Sequence, residues 1–251
     1  MKILLIFPPQ TLEDRYSHNM SNVGGFLPPL GLCYMAAVLE QANHEVQIMD
    51  CPVNDYRLID ILKRIRSFQP DVVGLSALTS LAEITKGICT AIKKDFPSIT
   101  ILVGGPHATI MPEELAKDTA ADIILAEEAD AKIAEVVANL PMYKKMKIVQ
   151  CGKVMDLDSL PFPARHLLDM KKYTSLPNMY KTSRHVFQMI TARGCPYTCT
   201  FCFDARGKFR QRSVANVVGE IKHLIKEYQI KEIAFYDDIT TPNKKMDARF
   251  L

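Results

Sequence analysis

Cys195, Cys199 and Cys202 stand within eight residues of one another in a chain of 251. They belong to the run Thr191-Ala192-Arg193-Gly194-Cys195-Pro196-Tyr197-Thr198-Cys199-Thr200-Phe201-Cys202, directly after a stretch, Val186–Thr191, that reads as a β-strand. A loop of that length can wrap around one metal centre. Thiolates select zinc, cuprous copper or iron–sulfur. A cubane iron–sulfur cluster normally takes four cysteines. Three leave one iron an open position, which a substrate-binding cluster needs. No fourth Cys or His follows at short spacing, which argues against a closed structural zinc site. Zinc or a chance grouping is the alternative reading.

The other cysteines, Cys33, Cys51, Cys89 and Cys151, are scattered singly, and the total of seven is odd. That is no disulfide framework, and a reducing compartment suits it. Cys33 and Cys89 fall inside helix-like patterns, as small core or surface residues do.

The elements that must position this chemistry come in two sets. Over residues 1–140, strand and helix signals alternate, the pattern of a parallel sheet covered on both faces. Lys2–Phe7, Glu45–Met49, Val72–Leu75, Ile99–Val103 and Ile123–Ala126 are short β-rich runs. Helical patterns lie near Gly31–Gln41, Tyr56–Phe68, Leu81–Phe96, Pro112–Lys117 and Asp130–Asn139. Five strands with intervening helices predict an α/β, flavodoxin-like doubly wound fold, whose ligands bind beyond the carboxyl ends of the strands. Residues 141–185 show little periodicity and are expected to be a linker. From 186 to 251 a strand, an amphipathic helix at Ser213–Tyr228 and a strand at Glu232–Tyr236 open a second βαβ series.

Hydrophobic content of 48% and charged content of 24% are ordinary for a soluble globular protein. The net charge of +3, with Lys and Arg dispersed, is too small to predict nucleic-acid or membrane partners. No apolar run is long enough to span a bilayer. Met1–Pro9 lacks a small-residue cleavage site and reads as a buried first strand rather than a signal peptide. The expectation is a cytoplasmic protein.

The Cys-x-x-x-Cys-x-x-Cys spacing, the Arg193-Gly194 lead-in and Phe201 before the last Cys resemble the radical S-adenosylmethionine superfamily. The resemblance implies that Cys195, Cys199 and Cys202 hold a [4Fe–4S] cluster whose unique iron chelates S-adenosylmethionine. One electron, from a reductant such as flavodoxin or ferredoxin, then cleaves the sulfonium to methionine and a 5′-deoxyadenosyl radical. Phe201 would lie near the adenine; a core aromatic at a strand-to-loop junction is the alternative. Asp237 and Asp238, at the end of the second strand, would meet the methionine amino group, as a carboxylate suits an ammonium; otherwise they are a turn or capping pair. Arg206 and Arg212 are expected to be solvated charges and receive no role. The family's core is a full or partial (β/α) barrel of roughly 200 residues or more. About 65 follow Val186, so the chain reads as cut short within that domain, with Pro242–Leu251 opening a helix.

Upstream, Pro28-Pro29-Leu30-Gly31-Leu32, Ala36–Glu40, His44-Glu45-Val46, Asp71–Ser76 and Gly104–Thr109, followed by Pro163-Ala164-Arg165, resemble the cobalamin-binding domain that precedes many such cores. By this resemblance Ser76, Thr79, Gly104 and Gly105 bind cobalamin. The hydroxyls of Ser76 and Thr79 would serve its amide and nucleotide arms, and the glycines would admit a close approach of the backbone. A tight strand-to-helix turn is the other use of Gly104-Gly105. His107 is weighed as a cobalt ligand and set aside. The Asp-x-His-x-x-Gly arrangement that supplies a lower His elsewhere is absent, so no His is expected below the cobalt by that route. Where the family usually shows Gly-Glu-Gly-Glu after the fifth strand, this chain has Ala126-Glu127-Glu128-Ala129-Asp130. Without the glycines the backbone is expected to keep negative φ there, altering the loop and cobalamin affinity.

Together these imply a cobalamin-dependent radical S-adenosylmethionine enzyme acting on a small molecule by methyl transfer to an unactivated carbon or phosphorus. Radical ring formation or rearrangement, or a non-catalytic cobalamin module with a vestigial cluster site, are the alternatives.

Overall fold

The computed structural model describes residues 1–16, 25–174, 186–202 and 208–240. It divides into two compact units: Met1–Val154 with Pro163–Lys172, and Met155–Phe162 with Tyr173–Leu251.

The first unit is a parallel sheet between helical layers. Its strands are β1 (Lys2–Phe7), β2 (Glu45–Asp50), β3 (Val72–Ser76), β4 (Thr100–Gly104), β5 (Ile123–Ala126) and β6 (Ile148–Gln150), in spatial order β2-β1-β3-β4-β5-β6. The helices are α1 (Leu12–Tyr16), α2 (Leu30–Gln41), α3 (Cys51–Asn54), α4 (Leu58–Phe68), α5 (Ala82–Asp95), α6 (Pro106–Ile110), α7 (Pro112–Asp118), α8 (Ile133–Ala138) and α9 (Leu140–Met146). Successive strand residues point to opposite faces, and both faces here are apolar. Ile3 and Leu5 pack with Leu32 and Leu39 of α2 and Val136 of α8. Leu4 and Ile6 pack with Ile61 and Ile65 of α4 and Ile88 and Ile92 of α5. A strand buried on both sides reads as a continuous hydrophobic run, which is why these strands are visible in the sequence.

The sixth strand is a departure from the expected five. Residues 141–150 are no loose linker: α9 leads into β6, which pairs parallel with β5 in the register Ile124↔Ile148 and Ala126↔Gln150. Three residues with one buried side chain, Val149, are too few to display a period. Farther along, Pro163–Lys172 straps back onto the first unit. Ala164 N–H donates to Cys33 C=O at 3.0 Å, His166 Nε2 lies 2.9 Å from Glu40 Oε1, and Lys172 Nζ donates to Asn54 Oδ1 at 2.6 Å. Arg165 is buried within this strap.

In the second unit, β7 (Phe187–Met189) pairs parallel with β10 (Ile233–Phe235), and β8 (Ala192–Arg193) pairs antiparallel with β9 (Arg210–Gln211). Helix α10 (Val214–Tyr228) connects β9 to β10. Ser213 caps it by accepting from the Asn216 N–H, as a Ser N-cap does. Its inward face is Val217, Glu220 and Leu224, while Val218 and Ile225 are exposed. Phe162, from the short segment assigned to this unit, stacks near His223 and under Arg212.

Candidate functional site

The cysteine segment starts where β7 ends, and the β8–β9 ladder pairs the chain on either side of it. Thr191, the residue before β8, is fully buried. Its amide donates to Asp237 Oδ1 at 2.6 Å and its hydroxyl to Asp237 Oδ2 at 2.5 Å. The Ala192 amide donates to the same Oδ1 at 3.0 Å. On the other side the Arg212 amide donates to Thr191 C=O at 2.9 Å. The Arg212 guanidinium reaches Ile190 C=O at 2.8 Å and Asn216 Oδ1 at 2.7 Å, and pairs with Glu220. Arg212 is therefore no solvated charge: it is buried against a carboxylate that is itself buried. Isolated buried charges are costly unless paired and hydrogen-bonded, and this pair meets both conditions. Arg206 and residues 242–251 lie outside the described residues.

The structure separates the two aspartates that the sequence left equivalent. Both oxygens of Asp237 accept hydrogen bonds from Thr191 and Ala192. Asp238 is exposed.

Cys195 is half-buried, while Cys199 and Cys202 are exposed and all three are free thiols. The Cys202 amide donates to Cys199 C=O at 3.1 Å, a single tight turn. Among the described residues, no three His, Cys, Asp or Glu side chains are gathered as for a metal. Metal binding and the ordering of its ligands are coupled. The donor set itself fits a thiolate-bound cluster in type, number and accessibility. The remaining cysteines contrast with it: burial pushes the Cys33, Cys89 and Cys151 thiols up to about 12, and Cys51 is raised as well, also chiefly by burial. Those groups stay protonated at neutral pH and are poor metal ligands. Phe201 is 90% exposed, which rules out a core aromatic and leaves its ring face open.

In the first unit, the loops after β3, β4 and β5 meet at the carboxyl edge of the sheet. Ser76 is half-buried at the end of β3, and Thr79 is exposed in the short turn that follows. Ala77 N–H donates to Gly104 C=O at 2.7 Å, and His107 N–H donates to Ala77 C=O at 3.0 Å, which ties two of these loops together. Gly105 has φ +104°, and a Cβ there would lie 3.0 Å from Ala77 O and 3.3 Å from Ser76 Oγ. A Cβ on Gly104 would make ordinary contacts at 3.6 Å. So Gly105 is required by the chain's own turn, and Gly104 is not. The His107 ring is 5% exposed, with Glu114 Oε1 4.0 Å from Nε2.

The loop after β5 corrects the expected backbone. Glu127 has φ +68° despite its side chain, so the left-handed geometry survives without glycine. Its amide donates to Thr109 Oγ1 at 2.9 Å, and the next residue, Glu128, accepts from Val154 N–H at 2.9 Å through Oε2. Such hydrogen bonds hold a non-glycine residue in a conformation it seldom adopts.

A doubly wound domain with small and hydroxyl side chains at its strand ends, joined to a βαβ unit bearing three accessible thiols, defines a cofactor-binding α/β protein. Residues 16–137 match the B12 binding domain family. The chain is 34% identical to an uncharacterized methyltransferase of Pyrococcus horikoshii, over 98% of its own length and 55% of the relative's. It is 30% identical to the cytidylyl-2-hydroxyethylphosphonate methyltransferase of Streptomyces wedmorensis, over 96% of its length and 55% of that protein's. The chain thus spans about half the length of these curated relatives. The solved structure of the cobalamin-dependent S-adenosylmethionine radical enzyme OxsB superposes with a TM-score of 0.69 at 20% identity. That match covers 99% of this chain and 36% of OxsB, and shows that the fold is shared. Over residues 16–137 the chain matches the B12-binding family, and along its length it is similar to these two methyltransferases and shares the fold of OxsB. Among the described residues, no helix is long and apolar enough to cross a membrane.

Proposed function

We propose that this chain supplies the cofactor-binding part of a cobalamin-dependent radical S-adenosylmethionine methyltransferase acting on a small molecule. The observation that carries the reading is the division of the thiols: Cys195, half-buried, and Cys199 and Cys202, exposed, share one loop after a strand end, while the other four are scattered, three of them buried and Cys151 half-buried, with thiols raised chiefly by burial. The two relatives named as methyltransferases support the choice of reaction. Cys195, Cys199 and Cys202 hold the [4Fe–4S] cluster. When bound, the cluster supplies the electron that cleaves S-adenosylmethionine, and cobalamin carries the methyl group. Phe201 offers an open ring face to the adenine, and Asp238 an exposed carboxylate to the methionine ammonium. Ser76 and Thr79 present hydroxyls toward cobalamin beyond the ends of the sheet, where doubly wound folds bind ligands. Flavodoxin or ferredoxin is the reductant.

The test is anaerobic reconstitution of the 251-residue chain with iron and sulfide, then with aquacobalamin. The expected result is about four irons per chain, retained cobalamin, and 5′-deoxyadenosine after dithionite reduction with S-adenosylmethionine. Zinc without iron, or cobalamin retention with no cluster, would replace the enzyme reading by a zinc site or a binding module respectively.

A further inference from the structure

We propose that Asp237 and Arg212 together form a polar clamp on residues 190–192 that aims the cysteine loop, so that Asp237 is a positioning residue acting through Thr191. The clamp is nearly complete. The amide and hydroxyl of Thr191 and the amide of Ala192 all end on the Asp237 carboxylate. The carbonyls of Ile190 and Thr191 both accept from Arg212. The guanidinium is fixed in turn by Asn216 and Glu220 of α10. Thus residues 190–192 are held by groups just beyond β10 and just beyond β9, more than twenty residues away in sequence. An ionised carboxylate that accepts three hydrogen bonds is a strong anchor. Two backbone amides and the Thr191 hydroxyl thus take up three of its roughly four acceptor sites, and on this proposal the ammonium of S-adenosylmethionine falls to another group. The direction in which Cys195 leaves β8 is set by this clamp, because the intervening chain is Ala192, Arg193 and Gly194, two of them paired in β8.

The consequence for cluster chemistry rests on the reading that Cys195, Cys199 and Cys202 bind a [4Fe–4S] cluster. The clamp itself does not, and the experiment keeps the two apart. Hydrogen exchange of residues 190–193 is measured on the metal-free 251-residue chain for Thr191→Val, Thr191→Ser, Asp237→Asn and Asp238→Asn. Thr191→Val and Asp237→Asn should speed exchange there by about tenfold or more, the effect of losing a hydrogen bond to a charged group. Thr191→Ser, which keeps the hydroxyl, and Asp238→Asn should match the unaltered chain. After anaerobic reconstitution, Thr191→Val and Asp237→Asn should also alter the electron paramagnetic resonance line shape of the reduced cluster before S-adenosylmethionine is added. If Asp237 instead touches S-adenosylmethionine, Asp237→Asn will leave exchange and that line shape unchanged. It will raise only the concentration of S-adenosylmethionine needed to perturb the cluster signal, and the clamp is overturned. A chain that takes up no iron, yet shows the predicted exchange pattern, removes the cluster reading while the clamp stands.

Discussion

Gly105→Ala is expected to destabilise the first unit by about 2–4 kcal/mol, whereas Gly104→Ala should change it by less than about 1 kcal/mol. Gly105 sits at φ +104° and ψ −174°, a region that is essentially glycine-only and costs other residues about 1–3 kcal/mol. The added methyl would also lie 3.0 Å from Ala77 O and 3.2 Å from Ala77 N. Both contacts are backbone, and Ala77 is held by hydrogen bonds to Gly104 and His107. Relief means parting the loops after β3 and β4, at the expense of a hydrogen bond worth about 0.5–1.5 kcal/mol. At Gly104 the methyl meets only ordinary contacts, and the smaller entropy of the unfolded chain favours Ala by about 0.4–1 kcal/mol where the backbone allows it. Urea unfolding followed by far-ultraviolet circular dichroism measures both, with the m-value checked for constancy. A Gly105→Ala midpoint equal to that of the unaltered chain would refute the argument. Equal stability in both variants, joined to weaker retention of aquacobalamin, would show that the glycine pair serves ligand approach instead of the turn.

Cys199→Ala should abolish iron retention while the unfolding transition of the first unit stays in place, because that unit has its own core; iron content and urea midpoint decide it. Ellman's reagent on the native metal-free chain should titrate the exposed Cys199 and Cys202 first, half-buried Cys195 and Cys151 more slowly, and Cys33, Cys51 and Cys89 only on unfolding; more than four thiols reacting before unfolding would contradict the burial pattern. The raised thiols also set a pH dependence. Unfolded cysteine ionises near 8.5, and folded Cys33, Cys89 and Cys151 ionise at about 12. The folded state therefore holds more protons across that interval, and stability should fall as pH rises from about 9 toward 12; melting temperatures at stepped alkaline pH measure this. Glu127→Gly should stabilise by about 0.5–1 kcal/mol, since left-handed strain of about 1–2 kcal/mol outweighs the entropy cost of glycine. Thr109→Val, which removes the acceptor of the Glu127 amide, should destabilise by about 1 kcal/mol; urea midpoints test both.

What the sequence by itself determined was whatever is written in local pattern. The bounds of β1 and β5 are those read from their apolar runs, and the other three strands of the expected five differ by one or two residues. Helix α10 was legible from its 3.6-residue spacing, though only part of its apolar face is buried. The three thiols were legible because their spacing within one loop is a local property. Strand β6 was not, since a three-residue edge strand carries too little pattern to separate it from a linker.

The tertiary structure decided the roles of single polar residues. Asp237 and Asp238 are identical in type and adjacent in sequence. Only the fold brings Thr191, 46 residues away, onto one of them. Arg212 reads as an ordinary surface charge until Glu220 is seen to be buried beside it. Glu127 keeps a glycine's backbone because Thr109, 18 residues earlier, accepts its amide. Burial and hydrogen-bond partners come from segments distant along the chain, so side-chain type and spacing find the chemistry, while packing determines which group is free to perform it.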